Sequence, residues 1–210
     1  MIHIILPVGI LQCNCSIFGD EQSKEAIVID PGGELDQILA VLAQHQLTVK
    51  AIVITHAHID HIAAAAKLRN LTNAPVYMNS EDRWLLDILE EQAAWLNVPP
   101  PEQTEIDAKA KDGRTLRLGH ADFEIMHTPG HTQGSICLWI PSENKLVAGD
   151  TLFRESIGRT DLPGGDGRKI LSSIKTRLLT LPLDATVIPG HGPFTTIGHE
   201  KEHNLFLKGL

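Results

Sequence analysis

The chain is short of several things, and each shortage narrows what it can be. Cysteine occurs three times in 210 residues and tyrosine once. An odd set of Cys13, Cys15 and Cys137 makes no disulfide framework, and so few thiols fit a reducing compartment. No stretch approaches the about 18 uninterrupted apolar residues of a membrane-spanning helix. The opening Met1-Ile2-His3-Ile4-Ile5-Leu6-Pro7 lacks a basic start, a long apolar segment and a small-residue cleavage site, so a secretory signal is not expected and the cytoplasm is. There is no long Lys/Arg run either. With 18 basic residues against 26 acidic and a net charge of −8, the surface repels phosphate backbones and anionic lipid. Neither nucleic acid nor membrane is expected as a partner.

What is present is a globular chain. Hydrophobic residues are 42% of it, and 17 glycines bring the apolar share to about half, the usual globular value. At about 150 residues per domain the length predicts a single domain over residues 1–210. Histidine stands out, with 11 residues.

Short strands are predicted at 2–6, 13–19 and 25–30, the last closed by Pro31-Gly32-Gly33. Leu35, Ile38, Leu39 and Leu42 share one stripe of a helix over 34–46. The apolar run Ala51–Thr55 reads as a strand, followed by an Ala-rich helix at 61–70 and a strand at 75–78. A second helix, N-capped by Ser80, is expected to reach Leu96 and to cover the core, a substrate mouth or a partner, the core being the default, with Pro99-Pro100-Pro101 ending it. Strands follow at 114–118, 121–127, 134–140 and 145–149. A helix over 167–181 and a strand at 185–188 complete the chain's second half. This order makes the fold class α/β, with two β-rich layers and helices outside. Cys13 and Cys15 fall on one face of their strand, which suits packing or a soft-metal pair, and small buried hydrophobes are the preferred reading.

The segment that carries chemistry is Thr55-His56-Ala57-His58-Ile59-Asp60-His61. Its four His and Asp positions would coincide by chance roughly 0.002 times in a chain of this composition. On an extended strand end His56 and His58 point the same way and can grip one cation. Asp60 and His61, where the chain turns into a helix, can serve a neighbouring one. Imidazole and carboxylate suit zinc, iron or manganese. Three further candidates each end a predicted strand beside glycine: His131 in Thr128-Pro129-Gly130-His131, Asp150 after Ala148-Gly149, and His191 in Pro189-Gly190-His191-Gly192-Pro193. Five histidines and two aspartates suffice for two ions, with three private ligands each and one shared carboxylate. His3, His45, His120, His127, His199 and His203 lack such a context, and His127 reads as packing.

These segments, with Gly149–Phe153, Gly158–Gly165 and the tail around Ile197–Leu207, resemble the metallo-β-lactamase-fold hydrolases, and among them short bacterial proteins like glyoxalase II, the hydroxyacylglutathione hydrolase. The resemblance implies an αββα sandwich of two mixed sheets with the metals at one edge. It implies two divalent ions per chain, zinc first, with His56, His58 and His131 on one, Asp60, His61 and His191 on the other, and Asp150 bridging. The implied reaction is hydrolysis of a small-molecule thioester such as S-lactoylglutathione. A metal-bridging hydroxide would attack, with Asp60 the catalytic carboxylate that orients it and relays its proton. The aspartate at Asp150, where common dinuclear β-lactamases carry a nearby cysteine, argues against β-lactam hydrolysis, and Cys137 lies too early to substitute.

One departure from the resemblance concerns glutathione. Only 19 residues follow His191, so the basic helical region with which full-length glyoxalase II grips glutathione is not matched. Arg154 and Arg159 remain as candidates for a substrate carboxylate, or for structural pairing with Asp161 or Asp166. The alternatives are a persulfide dioxygenase with one iron on His56, His131 and Asp150, a phosphoesterase or nuclease, and a non-catalytic metal-binding protein. Oligomeric state is left open.

Overall fold

The computed structural model describes residues 1–209. The chain divides into two compact units, Met1–Ala110 and Lys111–Leu210. Each is built on one mixed six-stranded sheet with helices, so the α/β class holds. Among the described residues no helix is long and apolar enough to cross a membrane.

In the first unit the strands are β1 (Ile2–Val8), β2 (Cys13–Gly19), β3 (Glu25–Ile29), β4 (Thr48–Val53), β5 (Val76–Met78) and β6 (Ala108–Lys109). They lie in chain order across the sheet. The first three pair antiparallel through tight turns, and β3 to β6 run parallel. Parallel neighbours need crossovers, and the helices α1 (Leu35–Gln44), α2 (Ile59–Ile62), α3 (Ala65–Thr72), α4 (Arg83–Asp87) and α5 (Leu89–Leu96) supply them. The unbroken burial of Ala26–Ile29 is that of a strand covered on both faces. Ile17, Val28, Ile52 and Ile54 pack with Ile38 of α1, Leu68 of α3 and Leu85 and Leu89 of α4 and α5. Each such side chain contributes about 1.5–3 kcal/mol by leaving water.

The second unit orders its sheet β14-β13-β10-β9-β8-β7. The strands are β7 (Thr115–Leu118), β8 (Ala121–His127), β9 (Ile136–Ile140), β10 (Lys145–Gly149), β13 (Thr186–Pro189) and β14 (Thr195–Thr196). Only β10 and β13 pair parallel. A small hairpin of β11 (Leu152–Phe153) and β12 (Ser156–Ile157) follows β10. Helix α6 (Gly167–Ser173) packs Ile170 against Leu146 and Val187, and α7 (Ile197–His203) adds Ile197 to the same core.

Several predicted elements are corrected in detail. The helix expected over 61–70 is two pieces, because the Ala64 N–H donates to Pro31 O at 2.9 Å and Ala64 stands outside both α2 and α3. The helix expected from Ser80 to Leu96 breaks at Ile88, whose φ of −110° leaves the helical range. Its N-terminal turn is capped one residue earlier than expected, by Asn79 Oδ1 accepting from Glu81 N. At the far end the left-handed Asn97 stops α5 before the prolines are reached. The helix expected over 167–181 widens after Ser173 into a turn over Ile174–Leu178, with Leu179 N bonding Ile174 O. Strands β6, β11, β12 and β14 were not expected; two residues are too few to show a period.

Gly130, at φ +139°, lies so close to α6 that a Cβ would come within 2.2 Å of Ile170 N. Gly113, at φ +73°, has nothing within 4 Å. Gly130→Ala should therefore destabilise by about 2–5 kcal/mol, from strain plus overlap. Gly113→Ala should cost only the left-handed backbone, about 1–2 kcal/mol. Denaturant unfolding of the two variants measures both, and equal losses would remove the steric reading of Gly130.

Candidate metal centre

The first unit supplies four of the seven predicted ligands. The chain leaves β4 at Val53, bends at Thr55 and His56, and is extended again at His58, which precedes the first turn of α2. His56 and His58 present their rings edge to face at 4.8 Å, brought together by the bend at Thr55 and His56 rather than by the extended strand end the sequence predicts. Asp60 and His61 sit in α2, and the His56 and His61 ring centroids are 4.1 Å apart. His56, Asp60 and His61 are buried and His58 is half-buried.

Hydrogen bonds fix these rings from behind. Asp30, buried at the end of β3, accepts Thr55 N at 2.7 Å on Oδ1. Its Oδ2 accepts Thr55 Oγ1 at 2.6 Å and faces His61 Nδ1 at 2.9 Å. Thr55 Oγ1 in turn lies 3.1 Å from His56 Nδ1. A carboxylate can only accept, so His61 holds its proton on Nδ1 and presents the Nε2 lone pair forward. That Nε2 is 3.5 Å from Asp60 Oδ2. Two further buried side chains hold the motif's backbone. Asp82 Oδ2 accepts Ala57 N at 3.1 Å, and Gln92 accepts Ile59 N at 3.0 Å while donating to Ala57 O at 3.2 Å.

The second unit supplies the other three. His131 follows Gly130, and its Nδ1 bonds the main-chain oxygen of Arg159 at 2.8 Å. Its Nε2 lies 3.6 Å from Asp150 Oδ2. Asp150 follows the last residue of β10, and His191 the end of β13; His191 Nε2 is 3.8 Å from the same Asp150 oxygen. Gly158 is required here, since a Cβ would fall 1.9 Å from Asp150 O.

The donor chemistry fits a cation in both units. Imidazole nitrogens whose Nδ1 is committed to oxygen, set 3.5–3.6 Å from carboxylate oxygens, are lone pairs facing anions. That separation is too long for a hydrogen bond and suited to ligands on a shared ion.

The remaining candidates fall elsewhere. The Arg159 guanidinium forms a two-pronged pair with Asp161, 2.8 Å on each prong, and holds that carboxyl down to about 2. Both side chains are exposed, so the pair adds little stability. What Arg159 gives to the centre is its carbonyl. Arg154 is half-exposed, 3.9 Å from Glu155. Cys13 and Cys15 are fully buried, as expected of small hydrophobes. Burial pushes the Cys13 thiol up to about 12 and Cys15 well above its usual value. Cys13 lies 3.4 Å from His61 Nδ1, but a neutral thiol behind a ring already bonded to Asp30 is packing. His127 Nε2 bonds Gln133 O at 2.9 Å, a local structural contact.

Asp30, Thr55, Asp82 and Gln92 were missed. Two carried a signal. Asp30 ends an apolar strand just before Pro-Gly, much as Asp150 follows Ala148-Gly149, and Gln92 interrupts the apolar face of Leu85, Leu89 and Leu96.

The chain belongs to the metallo-β-lactamase superfamily: the sequence profile of the Metallo-beta-lactamase superfamily matches residues 8–191. Its curated relatives include the hydroxyacylglutathione hydrolase GloC of Haemophilus influenzae, 41% identical over 97% of this chain and 96% of that protein. Among solved structures, the BLEG-1 B3 metallo-β-lactamase superposes with a TM-score of 0.91 at 38% identity, covering 99% of this chain and all of that one. The protein TTHA1623, crystallised in a di-iron-bound form, gives 0.87 at 36% identity over 97% of this chain and 100% of its own.

Asp30→Asn replaces an acceptor by a group with a donor edge facing Thr55 or His61. It should lower stability by about 1–3 kcal/mol and weaken metal binding by about 10–100-fold. Thermal unfolding and competitive metal titration read the two effects. Wild-type metal affinity in this variant would show that Asp30 does not orient His61.

Proposed function

We propose that the protein is a metal-dependent thioester hydrolase of the hydroxyacylglutathione hydrolase type, acting on a small-molecule acyl-thiol such as S-lactoylglutathione. The observation that carries the reading is the donor set: imidazoles with Nδ1 committed to Asp30 and to Arg159 O, and Nε2 opposed to the carboxylates of Asp60 and Asp150. We assign His56, His58 and His131 to one divalent ion, Asp60, His61 and His191 to a second, and Asp150 to both. Zinc is the first choice, and iron or manganese suits the same ligands. The similarity to GloC supports the substrate class, and the di-iron form of TTHA1623 supports a two-metal site. Three free, buried cysteines support a cytoplasmic location.

When bound, such ions lower the pKa of water to near neutrality and polarise a carbonyl. The protein's own groups supply position. Asp60 accepts the proton of the attacking water and keeps it oriented. A C–O bond forms at the acyl carbon as the C–S bond breaks; the products are the carboxylic acid and the thiol. Thiolate is a good leaving group, so no strong protein acid is called for. The similarity to BLEG-1, a B3 metallo-β-lactamase, favours a second reading, opening of a β-lactam ring, which turnover of a cephalosporin tests.

Metal analysis should give two ions per chain, and the loaded protein should hydrolyse S-lactoylglutathione faster than a chromogenic cephalosporin. One iron per chain with oxygen uptake on glutathione persulfide would overturn the hydrolase. Asp60→Asn should lower kcat at least about 100-fold, since it weakens a ligand and removes a proton acceptor. Asp150→Ala should lose more metal than His191→Ala; equal stoichiometry in the two would remove the shared ligand. Arg159→Ala, which keeps the carbonyl bonded to His131, should leave metal content unchanged. A raised KM at constant kcat in that variant would make its guanidinium a substrate contact.

A further inference from the structure

Behind His131 and Asp150 the second unit buries a small polar cluster with no part in ligation. Thr128, shortly before His131, Thr151, next to Asp150, and Cys137 of β9 are all fully buried. Thr128 Oγ1 lies 3.0 Å from Thr151 Oγ1 and 3.3 Å from Cys137 Sγ. The Cys137 thiol donates to Ala148 O at 3.3 Å. Its sulfur therefore accepts from one threonine hydroxyl while the second hydroxyl donates to the first, and all three protons are placed. Burial pushes the thiol up to about 11, so it stays neutral and keeps its proton for that carbonyl. Cys137 lies in the apolar cluster of Leu146, Leu152 and Ile170. Polar groups there cost desolvation that valines of the same shape would avoid, so packing alone does not account for them.

The sheet gives the cluster a task. His131 lies beyond the end of β8 and Asp150 beyond that of β10, and β9 runs between the two strands. Strands on either side of a third are about 9.5 Å apart, and among the described residues no ladder joins these two. Each is registered on β9, with Met126 opposite Cys137 and Val147 opposite Leu138. The ladders on β9 end at His127 and Val147, before either ligand is reached. Past those ends the contact between Thr128 and Thr151 crosses β9 and joins the two ligand segments directly. Ala148 O, which takes the thiol, also accepts Thr151 N at 3.1 Å, so the turn that carries Asp150 is held at both ends. On the other side Thr128 N donates to Ser135 O at 2.8 Å and closes the loop that carries His131.

We propose that Thr128 and Thr151, with Cys137 beside them, are positioning residues: a clasp across β9 that sets the separation of His131 from Asp150 for the ion they hold. The assignment rests on the two-metal reading above and adds to it residues that touch no ion. The quantity the clasp sets is the 3.6 Å between His131 Nε2 and Asp150 Oδ2. A hydroxyl pair suits this because it is directional, whereas two methyl groups in contact can slide.

The test is a titration of the full chain with zinc against a competing chelator, beside a thermal melt of each variant. Thr128→Val and Thr151→Val keep the side-chain volume and remove the hydroxyl; each should weaken zinc binding about tenfold. The double variant should also lose about tenfold, where independent sites would multiply to about a hundredfold, because both changes break one link. Thr128→Ser, which keeps the hydroxyl and loses a methyl, should melt lower yet bind zinc as the wild type does. Leu178→Ala, a packing loss elsewhere in the same apolar cluster, should do the same. The visible bands of the cobalt(II) form follow ligand geometry; they should shift in the valine variants and stay in place in Thr128→Ser and Leu178→Ala. Cys137→Ala removes the sulfur and leaves both hydroxyls; it should weaken zinc binding less than the valine variants do, and it supplies the comparison if one of those does not fold. Multiplying losses in the double variant, or a loss in Leu178→Ala equal to that in the valine variants, overturn the clasp and leave the metal centre. Unchanged zinc affinity in both valine variants does so too. A wild-type chain that binds no zinc overturns the two-metal reading, and the clasp with it.

Discussion

The interaction on which the rest depends is the bond between an imidazole Nδ1 and a fixed oxygen behind it. Asp30 Oδ2 does this for His61, and the main-chain oxygen of Arg159 does it for His131. A histidine alone can rotate and can carry its proton on either nitrogen. Once Nδ1–H is committed, the ring plane is set and the Nε2 lone pair has one direction. Metal ligation requires that state, and the protein builds it before any ion arrives.

This requirement explains why polar groups are buried around the motif. Asp30 and Asp82 are carboxylates inside a hydrophobic unit, a placement that costs desolvation unless every oxygen is used. Asp30 uses both, on two donors of Thr55 and one of His61. Asp82 and Gln92 take the main-chain donors of Ala57 and Ile59, which cannot bond within a sheet or a helix because the chain is turning. The break in the predicted 61–70 helix belongs to the same construction. By donating to Pro31 O, Ala64 ties the turn after α2 to the turn after β3, where Gly32 meets the Asp60 carbonyl.

Arg159 illustrates how function and structure divide within one residue. Its guanidinium, a candidate carboxylate binder by residue type, pairs with Asp161 in solvent, and the atom bonded to His131 is the carbonyl. Main-chain roles of this kind are invisible in residue type.

The α/β class, most strands to within one or two residues, the apolar faces of the helices and the ligand candidates were legible in the order of residues. Those features are local: periodicity, punctuation by Gly and Pro, and the spacing of His56, His58, Asp60 and His61 act over a few residues. Which oxygen holds each imidazole and where the long helices break come from packing. Each depends on partners about 25 to 40 positions away, such as Asp30 with Thr55 or Pro31 with Ala64, and no local residue pattern carries chain geometry over such distances.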